Sequence, residues 1–219
     1  MSERAAGGVL WDLDGTLIDS AGHHWVAWRD TLAAEGRRVE PSDFANSFGK
    51  RNDEILRDLF GEDLDAAWIA EVSEAKERAY RERLRKHGIA LLPGAEAWLA
   101  RLQRDGWRQA LASSAPSPNI AACFEALPLD RYLRVVVSAD EVGRGKPDPA
   151  IFFEAARRLG LPPERCVVVE DAPAGLEGAR RAGMKTIGVL SEHHRVLEAS
   201  IVVSSLDALP EDAFLRMIA

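Results

Sequence analysis

The chain has 219 residues, of which 47% are hydrophobic and 29% charged, and a formal net charge of −7 at pH 7. That size and balance fit a globular protein that buries its own core without disulfide staples. The acidic balance argues against electrostatic binding of nucleic acid or an anionic membrane surface, but a local pocket can still be positive enough for an anion.

In chain order, the first predicted element is the short apolar run Gly8-Val9-Leu10-Trp11, which reads as a buried strand ending at Asp12. Residues 19–93 then contain no convincing strand. His24, Trp25, Trp28 and Leu32 fall near one helical face, and Asp53–Phe60 and Ala66–Arg85 read as further helices. About seventy residues of helix between two strands is too much for a simple crossover. The expectation is an inserted helical cap over residues 17–91, with hinges near Leu17–Ser20 and Leu91–Gly94, and a core built from 1–16 and 92–219.

Four more apolar runs follow: Gln109–Ala112 ending at Ser113, Val135–Val137 ending at Ser138, Cys166–Val169 ending at Glu170, and Thr186–Val189. Ile201–Val203 fits a sixth strand at an edge. Glu96–Asp105, Pro149–Leu159 and Gly175–Ala182 are the helices between them. Continuous apolar strands alternating with helices predict an α/β fold whose parallel sheet is covered on both faces. Chemistry in such sheets gathers at the carboxyl ends of the strands, where this chain places Asp12, Ser113, Glu170 and Asp171.

Cys123 and Cys166 are too few and too far apart for a disulfide framework or a zinc site, and read as small core residues. Met1–Gly8 has no long apolar run, and no stretch approaches the ~20 apolar residues of a membrane span. The expectation is a cytoplasmic protein with no membrane partner, a monomer or weak oligomer.

Four sets of residues carry chemistry. In Asp12-Leu13-Asp14-Gly15-Thr16, two carboxylates stand two residues apart at a strand end, and Gly15 lets the backbone turn. One carboxylate can attack phosphorus and a second can move protons; a plain polar turn fits the same residues. Ser113 offers a hydroxyl and nearby backbone N–H groups to a phosphate oxygen, or simply a turn. Lys146, in Gly145-Lys146-Pro147-Asp148-Pro149, is one of only five lysines and suits a phosphoryl group as a point charge. Glu170-Asp171 are adjacent acids that repel unless a cation intervenes; magnesium, held by few carboxylates plus a substrate phosphate, is such a cation. A helix cap is the competing explanation of Asp171.

With these four motifs in order, the whole chain resembles the haloacid dehalogenase superfamily, in the branch of β-phosphoglucomutase and small sugar-phosphate phosphatases. The resemblance implies a Rossmann-like core with a helical cap inserted after the first strand. It implies Asp12 as nucleophile, Asp14 as general acid/base, and Ser113 and Lys146 on the transferring phosphoryl group. It further implies Mg²⁺ on Asp12, the Asp14 carbonyl, and Glu170 or Asp171. Dehalogenating and phosphonate-cleaving relatives lack the second aspartate, so Asp14 favours phosphate esters.

His24 and Lys76 match cap residues of the mutase, but the mutase arginine aligns with Asn52, and Arg51 is one place early in Gly49-Lys50-Arg51-Asn52. The expected substrate contacts are Ser20, His24, Gly49, Arg51, Asn52, Lys76, Ser114 and Asn119. The expected activity is a Mg²⁺-dependent phosphatase acting on a small phosphorylated metabolite, a sugar or polyol phosphate, with a sugar phosphomutase as the alternative.

Overall fold

The computed structural model describes residues 7–45 and 50–218. In chain order the strands are β1 (Gly8–Trp11), β2 (Arg108–Ser113), β3 (Val135–Ser138), β4 (Cys166–Glu170), β5 (Lys185–Val189) and β6 (Ile201–Val203). They form one six-stranded sheet in the order β3-β2-β1-β4-β5-β6, and every neighbouring pair is parallel. This is the expected α/β architecture, with the edge strand at Ile201–Val203.

Strand β1 lies at the centre because its residues are apolar on both faces. Val9 and Trp11 point into one fully buried cluster with Leu111, Val167, Val169 and Ile187, and Leu10 points into another with Ala110, Ala112 and Val168. The first cluster is closed by α5 (Ala95–Arg104), α6 (Ser117–Ala126) and α10 (Ala213–Ile218). The second is closed by α8 (Ala150–Leu159) and α9 (Pro173–Arg181), through Ile151, Phe152, Ala155 and Ala179. The four-residue helix α7 (Ala139–Val142) follows β3 directly, capped at both the Ser138 hydroxyl and its backbone N–H.

Between β1 and α5 the chain is helical: α1 (Ala21–Ala34), α2 (Pro41–Ala45), α3 (Asn52–Phe60) and α4 (Ala66–His87). These helices bury an apolar cluster of their own, including Trp28, Leu32, Phe44, Leu56, Ile69 and Val72. Asp65 starts α4 by accepting the N–H groups of Ala67 and Trp68. Strand-like contacts join the connecting segments: Ile18 bridges Leu91, Asp19 N–H donates to the Ala90 carbonyl at 3.0 Å, and Leu92 N–H to the Leu17 carbonyl at 2.9 Å. Helix α6 and the short helices α2, α7 and α10 were not expected from the sequence. Both cysteines are free and buried. No helix among the described residues is long and apolar enough to cross a membrane.

The connection from β1 leads to β2 on one side, and β4 adds on the other. The strand order therefore reverses beside β1, and the crevice at the carboxyl ends of β1 and β4 is where such sheets hold ligands.

Candidate active site at the carboxyl end of the sheet

The β1–β4 register pairs Trp11 with Val169, so the next residues, Asp12 and Glu170, emerge at one level from adjacent strands. Asp12 still donates its N–H to the Val169 carbonyl at 3.0 Å. Adjacent strands lie about 4.8 Å apart, which would set two carboxylates in repulsion. Lys146 Nζ relieves it, donating to Asp12 Oδ1 at 2.5 Å and to Glu170 Oε1 at 2.7 Å. The second oxygen of Glu170 accepts the Ala172 N–H at 2.7 Å. The first turn of α9 can approach this carboxylate only because residue 175 is glycine: a Cβ built there would overlap Glu170 Oε1.

Asp171 lies alongside, almost wholly buried, with Thr16 Oγ1 donating to its Oδ1 at 3.4 Å. Asp12, Glu170 and Asp171 each offer an oxygen, and the three lie within 4.8 Å of one another. Lys146 carries one positive charge and touches two of the three acids. Burial pushes Asp12 well above the usual carboxylate range; Lys146 opposes this, and Glu170 and Asp171 add to it. Burial likewise pushes Asp171 up to about 6 against the opposing effect of His194. For Lys146, burial alone would lower the pKa, but the Asp12 and Glu170 carboxylates hold it above its ordinary value. Asp171 Oδ2 is buried and has no hydrogen-bond partner among the described residues. An all-oxygen, acid-rich cradle with an unsatisfied oxygen fits a hard divalent cation.

On the other flank, Ser113 ends β2 at the level of Ser138 in β3. Ser113 Oγ accepts the Ala115 N–H at 3.0 Å, and the Ser138 hydroxyl donates to the Ala115 carbonyl at 2.9 Å. The Ser117 N–H donates to Asp140 Oδ2 at 3.0 Å. These bonds hold the 113–117 loop in one shape at the edge of a cavity of about 420 Å³. Asp12, Asp14, Ser113, Ser114, Lys146, Glu170 and Asp171 all line that cavity.

The opposite wall comes from the helical segment. His24 Nε2 is 3.3 Å from Asp14 Oδ1, and Lys76 Nζ is 3.0 Å from His24 Nδ1. An ammonium group only donates, so His24 Nδ1 accepts, and the ring hydrogen sits on Nε2, facing Asp14. The imidazole stacks on Tyr80 with a centroid separation of 4.0 Å and an 8° tilt. Burial would raise the pKa of Asp14, but the bond from His24, with the Lys76 charge behind it, outweighs burial and leaves Asp14 below its ordinary value.

Lys76 is 3% exposed and Glu77 5%, so the charged helix α4 buries an ion pair, at 2.9 Å, instead of solvating it. Glu77 Oε1 also accepts from Asn52 Nδ2 at 2.7 Å, and Glu77 Oε2 from Asn119 Nδ2 at 2.5 Å. Arg81 Nη1 donates to Asn119 Oδ1 at 3.0 Å. One carboxylate thus joins α3, α4 and α6. Glu77 and Arg81 had no sequence signal of their own, because their partners come from other elements.

Arg51 pairs with Asp53 at 3.2 Å and lines the cavity. Its aliphatic carbons lie against Gly145, where a Cβ would come within 2.7 Å of Arg51 Cδ. Arg51 is therefore presented across the cleft, beside the Lys146 loop, while Asn52 is turned to Glu77. Ser20 is fully buried at the start of α1 and lines a neighbouring cavity of about 410 Å³ beside the connecting segments, not the one around Asp12. Gly49 lies outside the described residues.

A family model described as a haloacid dehalogenase-like hydrolase matches residues 7–183, spanning every motif above. The chain belongs to the haloacid dehalogenase-like hydrolase family. Among curated relatives of this hydrolase, hexitol phosphatase A of Escherichia coli (strain K12) is 35% identical over 204 residues, covering 92% of each chain. Among solved structures, CbbY from Rhodobacter sphaeroides in complex with phosphate superposes with a TM-score of 0.86 at 29% identity, covering 96% of this chain and 99% of that one. A β-phosphoglucomutase from Clostridium difficile shares the fold, with a TM-score of 0.84 at 22% identity over 97% of this chain and 96% of that one.

Proposed function

We propose that this hydrolase is a Mg²⁺-dependent phosphatase of a small sugar or polyol phosphate, working through an aspartyl-phosphate on Asp12. The observation that carries the proposal is the bridge from Lys146 to both Asp12 and Glu170 beside the unsatisfied Asp171. A carboxylate nucleophile, a fixed cation and an acidic cradle share one wall of a cavity of metabolite size.

In the proposed first step, an Asp12 carboxylate oxygen attacks phosphorus while the bond from phosphorus to the substrate oxygen breaks. The leaving oxygen takes a proton from the Asp14 carboxyl. Water then attacks phosphorus, Asp14 takes the water proton, and the bond from phosphorus to Asp12 breaks, releasing inorganic phosphate. As held here by His24, Asp14 is set as the base of the second step; the proton it takes from water there is the one it gives to the leaving oxygen in the next turnover. Ser113, Ser114 and Lys146 hold the phosphoryl oxygens, and Lys146 offsets the charge that grows on them. Asp12 and Asp171, with Glu170 and the Asp14 carbonyl, would hold Mg²⁺. When bound, the ion supplies positive charge that lets a phosphate dianion enter among carboxylates.

We assign residues 17–91 the role of a cap that closes the cavity and selects the substrate. The name of hexitol phosphatase A supports a polyol phosphate among the candidates. The deciding experiment is phosphate release from a panel of phosphorylated sugars and polyols, with and without Mg²⁺. Release from at least one at a rate above that from a generic aryl phosphate is the expected result; none with any would sink the proposal.

A second reading, a sugar phosphomutase, has one observation in its favour: Arg51 lines the cavity beside the Lys146 loop, and a mutase needs a cation there for a second phosphate. Against it, Asn52 stands at the mutase arginine position and is committed to Glu77. Net phosphate release from β-glucose 1-phosphate with a bisphosphate primer present supports the hydrolase. Isomerisation that outpaces release supports the mutase.

A further inference from the structure

The loop between β5 and β6 contributes a residue that the chemistry above does not use. Leu190 N–H donates to the Val203 carbonyl at 2.8 Å, fixing the start of the loop to the end of β6. His194 N–H donates to Ser191 Oγ at 3.1 Å, and Ser191 N–H returns to the His194 carbonyl at 3.2 Å. This closed turn brings His194 Nδ1 to 3.9 Å from Asp171 Oδ2. Neither atom has a hydrogen-bond partner among the described residues, and both are buried. Buried polar atoms are nearly always satisfied, so two orphans facing each other are an exception that needs a cause.

Among the described residues, the other oxygen of Asp171 has only the long bond from Thr16, at 3.4 Å. The carboxylate is therefore weakly held about its last rotatable bond, although it is one of three acids whose oxygens must converge. Groups that orient metal-binding carboxylates from behind act on affinity through just this freedom.

We infer that His194 is a positioning residue for Asp171: an Nδ1–H donated to Oδ2 fixes the turn of the carboxylate and aims its oxygens toward Asp12 and Glu170. The inference rests on the metal site proposed above. Closing the 3.9 Å gap to hydrogen-bond distance would satisfy both orphan atoms at once. The same loop is braced from the helical side, where His193 packs edge-on against Phe44 of α2 at 5.7 Å between ring centroids.

The test is Mg²⁺ binding by isothermal titration calorimetry to the wild type, His194→Ala, His194→Asn and Arg195→Ala, with the Tm of each metal-free protein measured in parallel. His194→Ala should weaken Mg²⁺ binding by about tenfold or more, with a metal-free Tm unchanged to within about 2 °C. His194→Asn should recover most of the loss, because its amide nitrogen stands near the place of Nδ1. Arg195 is exposed on the same loop, and Arg195→Ala should bind as the wild type does. Mg²⁺ binding by His194→Ala within about twofold of wild type overturns the inference. So does a loss that follows the metal-free Tm downward and is not recovered by asparagine. If the wild type takes up no Mg²⁺, the proposed metal site fails and this inference fails with it; the His194 variants alone leave the metal site standing.

Discussion

Asp12 and Glu170 leave adjacent parallel strands at the same level, and the single ammonium of Lys146 is bonded to both, at 2.5 and 2.7 Å. The pair is separated by 158 positions in sequence and brought together by the register of two four- and five-residue strands. The charge balance of the site is thus an outcome of sheet register, which a one-residue slip would destroy.

Asp12→Asn removes the proposed nucleophile with little change of shape. Turnover should fall by more than about a thousandfold, with far-ultraviolet circular dichroism unchanged. Retention of more than a few per cent of activity in a preparation free of contaminating phosphatase would reject Asp12 as the attacking group.

Activity should depend on Mg²⁺ and disappear with chelator. Three convergent carboxylates, one of them with an orphan oxygen, otherwise repel a phosphate dianion. A fluoride analogue of the phosphoryl group should inhibit only when Mg²⁺ is present. Full turnover in excess chelator would remove the metal from the proposal.

Lys146→Ala should lower kcat by about a hundredfold or more, against a negligible effect for Lys185→Ala, which lies exposed at the far end of β5. It should also lower the Tm of the metal-free protein, because Asp12 and Glu170 lose the cation that offsets them. Added Mg²⁺ should return part of that Tm. Equal, small effects on turnover at both lysines would demote Lys146 to a structural role.

His24→Ala should slow turnover by on the order of ten- to a hundredfold without stopping it. The imidazole holds Asp14, but the carboxyl itself remains. Complete loss of activity, with the fold intact, would mean that His24 itself carries a proton in the reaction.

Glu77 gives a pH test away from the acidic cradle. Burial would raise its pKa, but Lys76, His24 and Asn52 overrule it and hold it below the ordinary 4.5. A carboxyl whose folded pKa is depressed adds stability above its unfolded pKa and loses it as pH falls through the folded value. Below about pH 4.5, Glu77 should therefore contribute a falling share of stability. Glu77→Gln should cost about 3 kcal/mol or more at neutral pH, with the difference from wild type shrinking toward acid. A constant difference across pH 3–7 would mean that the carboxylate charge does not matter there.

The sheet was legible because each apolar run is short and stops at a polar residue, and the acids and the lysine of the site are those stopping residues or sit in Gly/Pro-marked loops. Helix α6 has a weak signature in the sequence because Ser117-Pro118-Asn119 opens it like a turn, and it carries few charges to mark an outer face. Lys76 is marked in the sequence only by its match to a cap lysine, and nothing marks Glu77; the burial of the pair depends on Asn52 and Asn119, 25 and 42 residues from Glu77. Arg51 could not be oriented from its position alone, since its placement follows from the bare backbone of Gly145 across the cleft.

The contact of Gly175 with Glu170 constrains how chains of this kind can diverge. The carboxylate fills the volume that any side chain at 175 would need, so position 175 can gain a side chain only once that carboxylate has moved. A shortening of Glu170 to aspartate would withdraw the oxygen by one methylene and open room for a small side chain at 175. The reverse order of events, a larger residue at 175 arriving first, would displace the carboxylate from Lys146 before any compensation existed. Drift along this pair is therefore directional: the acid must retreat before the helix can gain bulk.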